Sequence, residues 1–415
     1  MDILEGKSIH DGIVPPCITK RKEHTMHERP NPLYCILPPH ILRALLAHQD
    51  TSVRQSALRT LLTSTRLSER RRLIGGMAVR VSSGTLRRTI NDAQHDPNDG
   101  ALPGKLVRGE GDPASTDAAI NEAYDGLGAT YKLYMDIYQR NSIDDQGMRL
   151  DASVHFGQGY DNAFWDGQEM VFGDGDGIIF VGFTKAVDVI GHELTHGVTD
   201  YTAKLIYHKQ PGALNESFSD VFGSLVKQYA ANQTAAQADW LIGQGILAPS
   251  INGQALRSMK EPGTAYNDPK LGGKDPQPAT MSDYLHLPDD EDNDYGGVHI
   301  NSGIPNHVFY LVATSLGGYA WTDAGHIWYS TLRQLWPRAT FQDCANVSYQ
   351  VAGTLFGSGS TQQQAVRDAW SHVGIKMRAS GQRMVMASNG ADGVRLQEKL
   401  EQLSQELRSL ATSVN

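Results

Sequence analysis

Two histidines and a glutamate in the run Val189-Ile190-Gly191-His192-Glu193-Leu194-Thr195-His196-Gly197-Val198 are spaced for metal chemistry. In a helix, residues i and i+4 share one face, so His192 and His196 can present two imidazoles to one ion. Glu193 lies ~100° further round, able to reach a water on that ion without binding the ion itself. The pattern alone would arise by chance in a chain of this composition roughly 3 times in 100, so the other parts must be found elsewhere. A catalytic zinc needs a third protein ligand and an open position. Glu216, at what reads as the start of another helix, can complete the set. Asp220, one turn on, can accept the free N–H of a ligand histidine and fix its tautomer; Asn215 stands beside Glu216 as a further outer partner. Singly, either carboxylate suits an acidic first helical turn. Their pairing downstream of the histidines favours the site.

Zinc in such a setting polarises a carbonyl and lowers the pKa of water towards ~7. Glu193 is then placed to take the water's proton and pass it to a leaving amine. The oxyanion that forms needs a donor. In Asp294-Tyr295-Gly296-Gly297-Val298-His299-Ile300-Asn301-Ser302-Gly303 a glycine turn presents His299, with Asp294 available to orient and charge it.

The elements that must hold these residues follow from periodicity. An apolar stripe predicts a helix over 117–138, and alternating segments at 150–156 and 163–172 predict strands with turns at the glycines. After the histidine helix the pattern is mainly helical, at 216–232, 301–316, 322–335, 341–357 and 360–373. The run Gly173-Asp174-Gly175-Asp176-Gly177 lacks the full ligand loop and closing glutamate of a calcium site and is expected to be a plain hairpin turn. Upstream, residues 1–32 are polar and proline-dotted, including Pro15-Pro16, and read as flexible. Helical runs are expected at 41–47, after Pro38-Pro39, and at 52–62. Glu69-Arg70-Arg71-Arg72 closes a basic segment with the look of a cleavage site, and a short β-like piece follows at 76–81. Leu396, Leu400, Leu403, Leu407 and Leu410 form a seam about two heptads long, expected to pack on its own domain.

At 415 residues, with 40% hydrophobic and 20% charged residues, the chain has room for two or three domains. The net charge of −9 without a basic domain argues against a nucleic-acid binder. No run reaches the roughly 18 apolar residues of a membrane span, and the first residues do not form a Sec signal. Three scattered cysteines make neither a disulfide framework nor a cysteine-rich zinc site.

Together these pieces resemble the thermolysin family of zinc metalloendopeptidases. The resemblance runs from about Asp151 to Lys376, and more weakly upstream to about Ile90. It rests on His192-Glu193-Leu194-Thr195-His196 with Asp200-Tyr201-Thr202-Ala203, on Gly212-Ala213-Leu214-Asn215-Glu216, on Gly296 to Gly303, and on Asn162-Ala163-Phe164-Trp165. It implies an α+β fold of two lobes, β-rich N-terminal and mainly helical C-terminal, with the active-site helix between them. By resemblance, His192, His196 and Glu216 bind one zinc ion and Glu193 is the base. Tyr207 and His299 steady the oxyanion, with Asp294 behind His299. Asn162 and Ala163 hold the substrate backbone extended, Arg257 contacts a substrate carbonyl, and Phe180, Phe183, Val189 and Leu256 form the pocket for a bulky apolar side chain just after the cut bond.

The chain departs from the family type at three places. Of five acidic positions of the family's double calcium site, Asp188 and Asp239 remain, but the others are Lys227, Leu241 and Gln244. That exchange is expected to abolish the calcium site and to pair Lys227 with Asp188 or Asp239. The large propeptide common in the family is absent; the short N-terminal region with its Pro-Pro motif resembles the compact precursors of the protealysin-like subgroup. Residues 1–72 are thus expected to block the cleft, ahead of catalytic lobes at 73–200 and 201–376. Either Cys35 or His40 approaches the zinc, a thiolate being a competent ligand, or the Pro-Pro turn simply packs there. Finally, the extension 377–415 matches nothing in the family. The expected activity is a zinc endopeptidase cutting proteins and peptides before bulky apolar residues. The alternative is a latent zinc-binding protein acting as a partner-binding module through its leucine seam. The family's habit favours export by a non-classical route, while the missing signal leaves cytoplasmic retention open.

Overall fold

Helix α4 (Val187–Asp200) carries the two histidines, and every residue from Asp188 to Thr199 is buried. A helix buried on all sides needs neighbours on all sides. Its main one is α5 (Lys209–Ala230), which bears Asn215, Glu216 and Asp220. The two backbones approach closely because Gly223 has no side chain: a Cβ there would lie 2.4 Å from the Asp188 carbonyl oxygen. The computed structural model describes residues 34–74 and 84–377. Pro15-Pro16, the piece 76–81 and the leucine seam lie outside the described residues.

On the N-terminal side, α4 is backed by α3 (Ala118–Tyr138), capped by the Asp117 side chain accepting from the Ala119 amide at 2.9 Å, and by a mixed sheet. That sheet has the order β1-β5-β6-β4-β2-β3, with β1 at Tyr34–Cys35, β2 at Arg88–Asp92, β3 at Lys105–Gly109, β4 at Leu150–Val154, β5 at Ala163–Trp165 and β6 at Met170–Phe172. Strands β2, β4 and β6 run parallel, while β5 and β1 are antiparallel additions at one edge. The edge strand β1 comes from the N-terminal segment, and α1 (Pro39–Leu46) and α2 (Thr51–Ile74) follow it. Pro39 opens α1, where its missing N–H costs nothing.

The C-terminal lobe packs α6 (Gly303–Leu316), α7 (Asp323–Leu332), α8 (Phe341–Phe356) and α9 (Thr361–His372) beyond α5. The two-lobe α+β architecture expected from the sequence is therefore present. Three local expectations differ. Helix α5 begins at Lys209, not at Glu216, because Pro211 sits in its first turn; Glu216 is a mid-helix residue. Helix α2 runs on through Arg71 to Ile74 instead of ending near Leu62. The 173–177 turn joins no hairpin: the Asp176 carboxylate accepts the amides of Ile178, Ile179 and Phe180, closing the turn on itself.

Candidate active site

One turn apart on α4, His192 and His196 bring their Nε2 atoms to 3.0 Å from each other. Glu216 on α5 completes a triangle, with Oε2 3.5 Å from His192 Nε2 and Oε1 3.4 Å from His196 Nε2. Nitrogen and oxygen ligands ~2.0–2.1 Å from a tetrahedral zinc lie ~3.3 Å apart, so the triangle has the right size. All three residues are fully buried, and Glu216 Oε2 has no hydrogen-bond partner. A buried carboxylate oxygen without a donor, facing two imidazole nitrogens, is the donor set of a divalent ion.

The opposite ring nitrogens fix the tautomers. His192 Nδ1 donates to Asp220 Oδ1 at 2.8 Å and His196 Nδ1 to Asn215 Oδ1 at 2.8 Å, leaving both Nε2 lone pairs for the metal. Ser219 Oγ lies 3.0 Å from the same His196 nitrogen. Asp220 is itself clamped by Arg257, whose Nε and Nη2 each donate at 2.8 Å, and by Asn306 Nδ2 at 2.8 Å. Burial opposes the ionisation of Asp220, but the Arg257 charge and the His192 bond hold its carboxyl well below the usual range.

Glu193 accepts the Trp165 amide at 3.1 Å through Oε2, while its buried Oε1 has no partner. Burial first, then the Glu216 charge, push its carboxyl well above the usual range. Tyr207 donates to Glu216 Oε1 and lies 3.2 Å from His299 Nε2. His299 Nδ1 donates to Asp294 Oδ1 at 2.6 Å, and its amide donates to Asp294 Oδ2 at 2.8 Å. The turn that makes this possible holds Asp294, Tyr295, Gly296 and Gly297 in left-handed conformations. A Cβ on Gly296 would lie 2.7 Å from Lys209 Cγ.

The cleft between the lobes is filled by the chain's own residues 34–37. His299 Nε2 donates to the Cys35 carbonyl at 2.9 Å. The Ile36 amide donates to the Ala163 carbonyl at 3.2 Å, and the Leu37 amide to Asn162 Oδ1 at 3.1 Å. Arg257 Nη1 donates to the Ile36 carbonyl at 3.0 Å. Ile36 is fully buried within the same apolar cluster as Phe180, Phe183, Val189 and Leu256. Tyr34 stacks on His196 at 4.4 Å with 22° between the rings, and donates to Asp200 at 2.7 Å.

The expected catalytic, ligand and backbone-holding residues are thus brought together. Of the two side chains weighed as alternatives for approaching the metal, neither joins the ligand group. Cys35 offers its carbonyl to His299, and its thiol is not part of the ligand group of His192, His196 and Glu216; His40 Nε2 bonds the Tyr266 hydroxyl at 2.9 Å. Sequence reasoning missed Tyr34, Ser219 and Asn306; an aromatic residue directly before Cys35 was the available signal for the first. The basic run read as a cleavage site is also engaged, because Arg71 pairs with Asp200 at 2.7 Å and covers the Tyr34 ring at 4.0 Å. Among the residues that the sequence comparison set against the family's calcium carboxylates, Lys227 Nζ lies 2.8 Å from Asp239 Oδ2, 3.4 Å from the buried Asp188 Oδ2 and 3.5 Å from Gln244 Oε1.

Comparison with known proteins gives matches over most of the chain. The catalytic-domain family of thermolysin metallopeptidases matches residues 76–200, and its alpha-helical-domain family matches residues 203–375. An extracellular metalloprotease of Pectobacterium carotovorum is 48% identical over 349 residues, covering 84% of this chain and 98% of that protein. Protease PrtS of a Photorhabdus strain is 47% identical, covering 83% and 92%. Among solved structures, the precursor of protealysin, a metalloproteinase of Serratia proteamaculans, superposes with a TM-score of 0.74 at 51% identity, covering 82% of this chain and 99% of that one.

Proposed function

The chain belongs to the thermolysin family of zinc metalloendopeptidases and is a zinc-dependent protease made as a proenzyme; from that premise we propose how its residues divide the work. His192, His196 and Glu216 hold the ion, with Asp220 and Asn215 orienting the two imidazoles. When bound there, zinc supplies Lewis acidity to a substrate carbonyl and to the attacking water. Glu193 accepts the water's proton on its unpartnered oxygen and returns it to the leaving amine. Tyr207 and His299 donate to the oxyanion, and Asp294 keeps His299 charged and aimed. Asn162 and Ala163 align the substrate as an added strand. Arg257 grips the carbonyl beyond the cut bond, and Phe180, Phe183, Val189 and Leu256 receive the bulky apolar side chain on that side.

The observation that carries this assignment is the Cys35-Ile36-Leu37 backbone. Each role named for a substrate-binding group is already exercised on it: oxyanion donor on Cys35, strand partners on Ile36 and Leu37, guanidinium on the Ile36 carbonyl. Residues 1–72 act as an intramolecular inhibitor whose residues 35–37 lie in the cleft as a substrate would, with Ile36 standing in for the apolar residue after the cut bond. The family match beginning at residue 76 supports 73–200 and 201–376 as the catalytic lobes and 377–415 as a separate extension. Lys227 replaces calcium, its ammonium standing among the oxygens of Asp188, Asp239 and Gln244. Relatives named as extracellular proteases support secretion. No comparison supports the alternative of a non-catalytic binding module.

Zinc content and casein cleavage, measured for wild type and Glu193→Ala after removal of the N-terminal segment, test the assignment. One zinc in both, with cleavage only in wild type, is expected; absence of zinc from wild type, or full activity of Glu193→Ala, would refute it.

A further inference from the structure

A second cluster, outside the active site, has the same chemical logic. His95, His155 and Asp174 follow the C-terminal ends of β2, β4 and β6, three neighbouring parallel strands. This end of a parallel sheet is where ligands are commonly held. His155 Nδ1 lies 2.9 Å from Asp174 Oδ2, and His95 Nδ1 lies 3.5 Å from that same oxygen. One ligand atom from each residue falls within 4.8 Å of the other two. We propose that His95 Nδ1, His155 Nδ1 and Asp174 form a second divalent-metal site, for a borderline ion such as Zn2+, on the N-terminal lobe.

Three observations support it. The separations bracket the ~3.3 Å between ligand atoms of a tetrahedral zinc. His155 Nε2 lies 2.9 Å from Asp117 Oδ2, so the remaining ring nitrogen has a carboxylate partner, the arrangement that orients metal-ligating histidines and that His192 and Asp220 show in the active site. Asp117 is anchored in turn as the cap of α3. Both histidines also occupy left-handed backbone conformations, His95 at φ 59° and His155 at φ 55°. Histidine is among the few non-glycine residues enriched there, and the His95 amide donates to the His155 carbonyl at 2.8 Å to hold the two turns together. Two imidazoles and one carboxylate favour zinc over calcium, which takes oxygen ligands. His95 is half-exposed and Asp174 about a third exposed, leaving solvent access for water to complete the coordination. The Gly157 carbonyl, 3.4 Å from His95 Nδ1, is the competing partner when no ion is bound.

Such an ion would tie together the ends of three strands and the start of α3, so its readout is stoichiometry and stability, independent of catalysis. The full chain, purified with its catalytic zinc and dialysed against ~10 µM free Zn2+, is expected to retain two zinc ions. His95→Ala and Asp174→Asn are each expected to retain one, with casein cleavage after processing unchanged. The unfolding midpoint should rise with zinc concentration in wild type and not in His95→Ala. A single zinc in wild type would overturn the proposal and leave His155 as an imidazolium bridging two aspartates. Two zinc ions in both variants would overturn it equally, placing the second ion elsewhere.

Discussion

His299 Nε2 donates to the backbone carbonyl of Cys35 at 2.9 Å, so the residue proposed as oxyanion donor is engaged by the protein's own N-terminal segment. The contact is backbone-directed, as are those of Asn162, Ala163 and Arg257 to Ile36 and Leu37. On the proposed reading, latency of the precursor depends on the strand and on the buried Ile36 side chain, not on the Cys35 thiol.

Cys35→Ala is accordingly expected to leave the precursor as latent as wild type. Ile36→Asp should place an unpaired carboxylate in a fully buried apolar site, at a cost of several kcal/mol, and release the segment. An increase of ~10²-fold or more in peptide cleavage by the unprocessed Ile36→Asp chain is expected. A latent Ile36→Asp precursor, or an active Cys35→Ala one, would contradict the strand account.

Asp220 connects the zinc ligand His192 to Arg257, which reaches the occupied cleft. Asp220→Asn is expected to lower zinc affinity by roughly 10–100-fold, measured by competition with a chelator. Because Arg257 is also fully buried, loss of its counter-charge should destabilise the fold by roughly 3–5 kcal/mol, read from denaturant unfolding. A variant that loses neither metal affinity nor stability would show that the clamp on Asp220 is idle.

The histidine motif was legible because its geometry is local: an i, i+4 spacing needs only a helix. Glu216, Asp220 and His299 were legible as residue types at suggestive positions, although the first was assigned to a helix start when Pro211 had already opened α5. Tyr34 and Asn306 were not, because each reaches the site through tertiary contact across more than 80 residues of chain. Arg71 illustrates the same limit. In sequence it belongs to an exposed-looking basic run, and in the fold it lies against Tyr34 and Asp200.

Lys227 gives a prediction about calcium. With an ammonium among the oxygens of Asp188, Asp239 and Gln244, depleting calcium with EGTA while free Zn2+ is buffered at a constant level is expected to leave the unfolding midpoint unchanged. Lys227→Ala should destabilise by roughly 3 kcal/mol, since Asp188 is buried and loses its counter-charge. A large fall in the wild-type midpoint in EGTA would instead reveal a calcium site in the folded protein.

The pH dependence of catalysis should report His299. Burial by itself would lower its pKa, but the Glu216 and Asp294 carboxylates outweigh burial and hold it up at about 9. Its imidazolium, the donor form, therefore persists below that pH and is lost as pH rises through it. In the processed enzyme zinc withdraws part of the Glu216 charge, which places the alkaline limb of kcat/KM at or below pH 9 and leaves Asp294 as the main support. Asp294→Asn removes that charge while keeping a side chain of the same size, so the limb should move to lower pH and kcat should fall more than KM rises. A pH–rate profile of the two processed enzymes checks this. Superimposable alkaline limbs would mean that Asp294 positions the ring without setting its charge, and that another group governs the loss of activity.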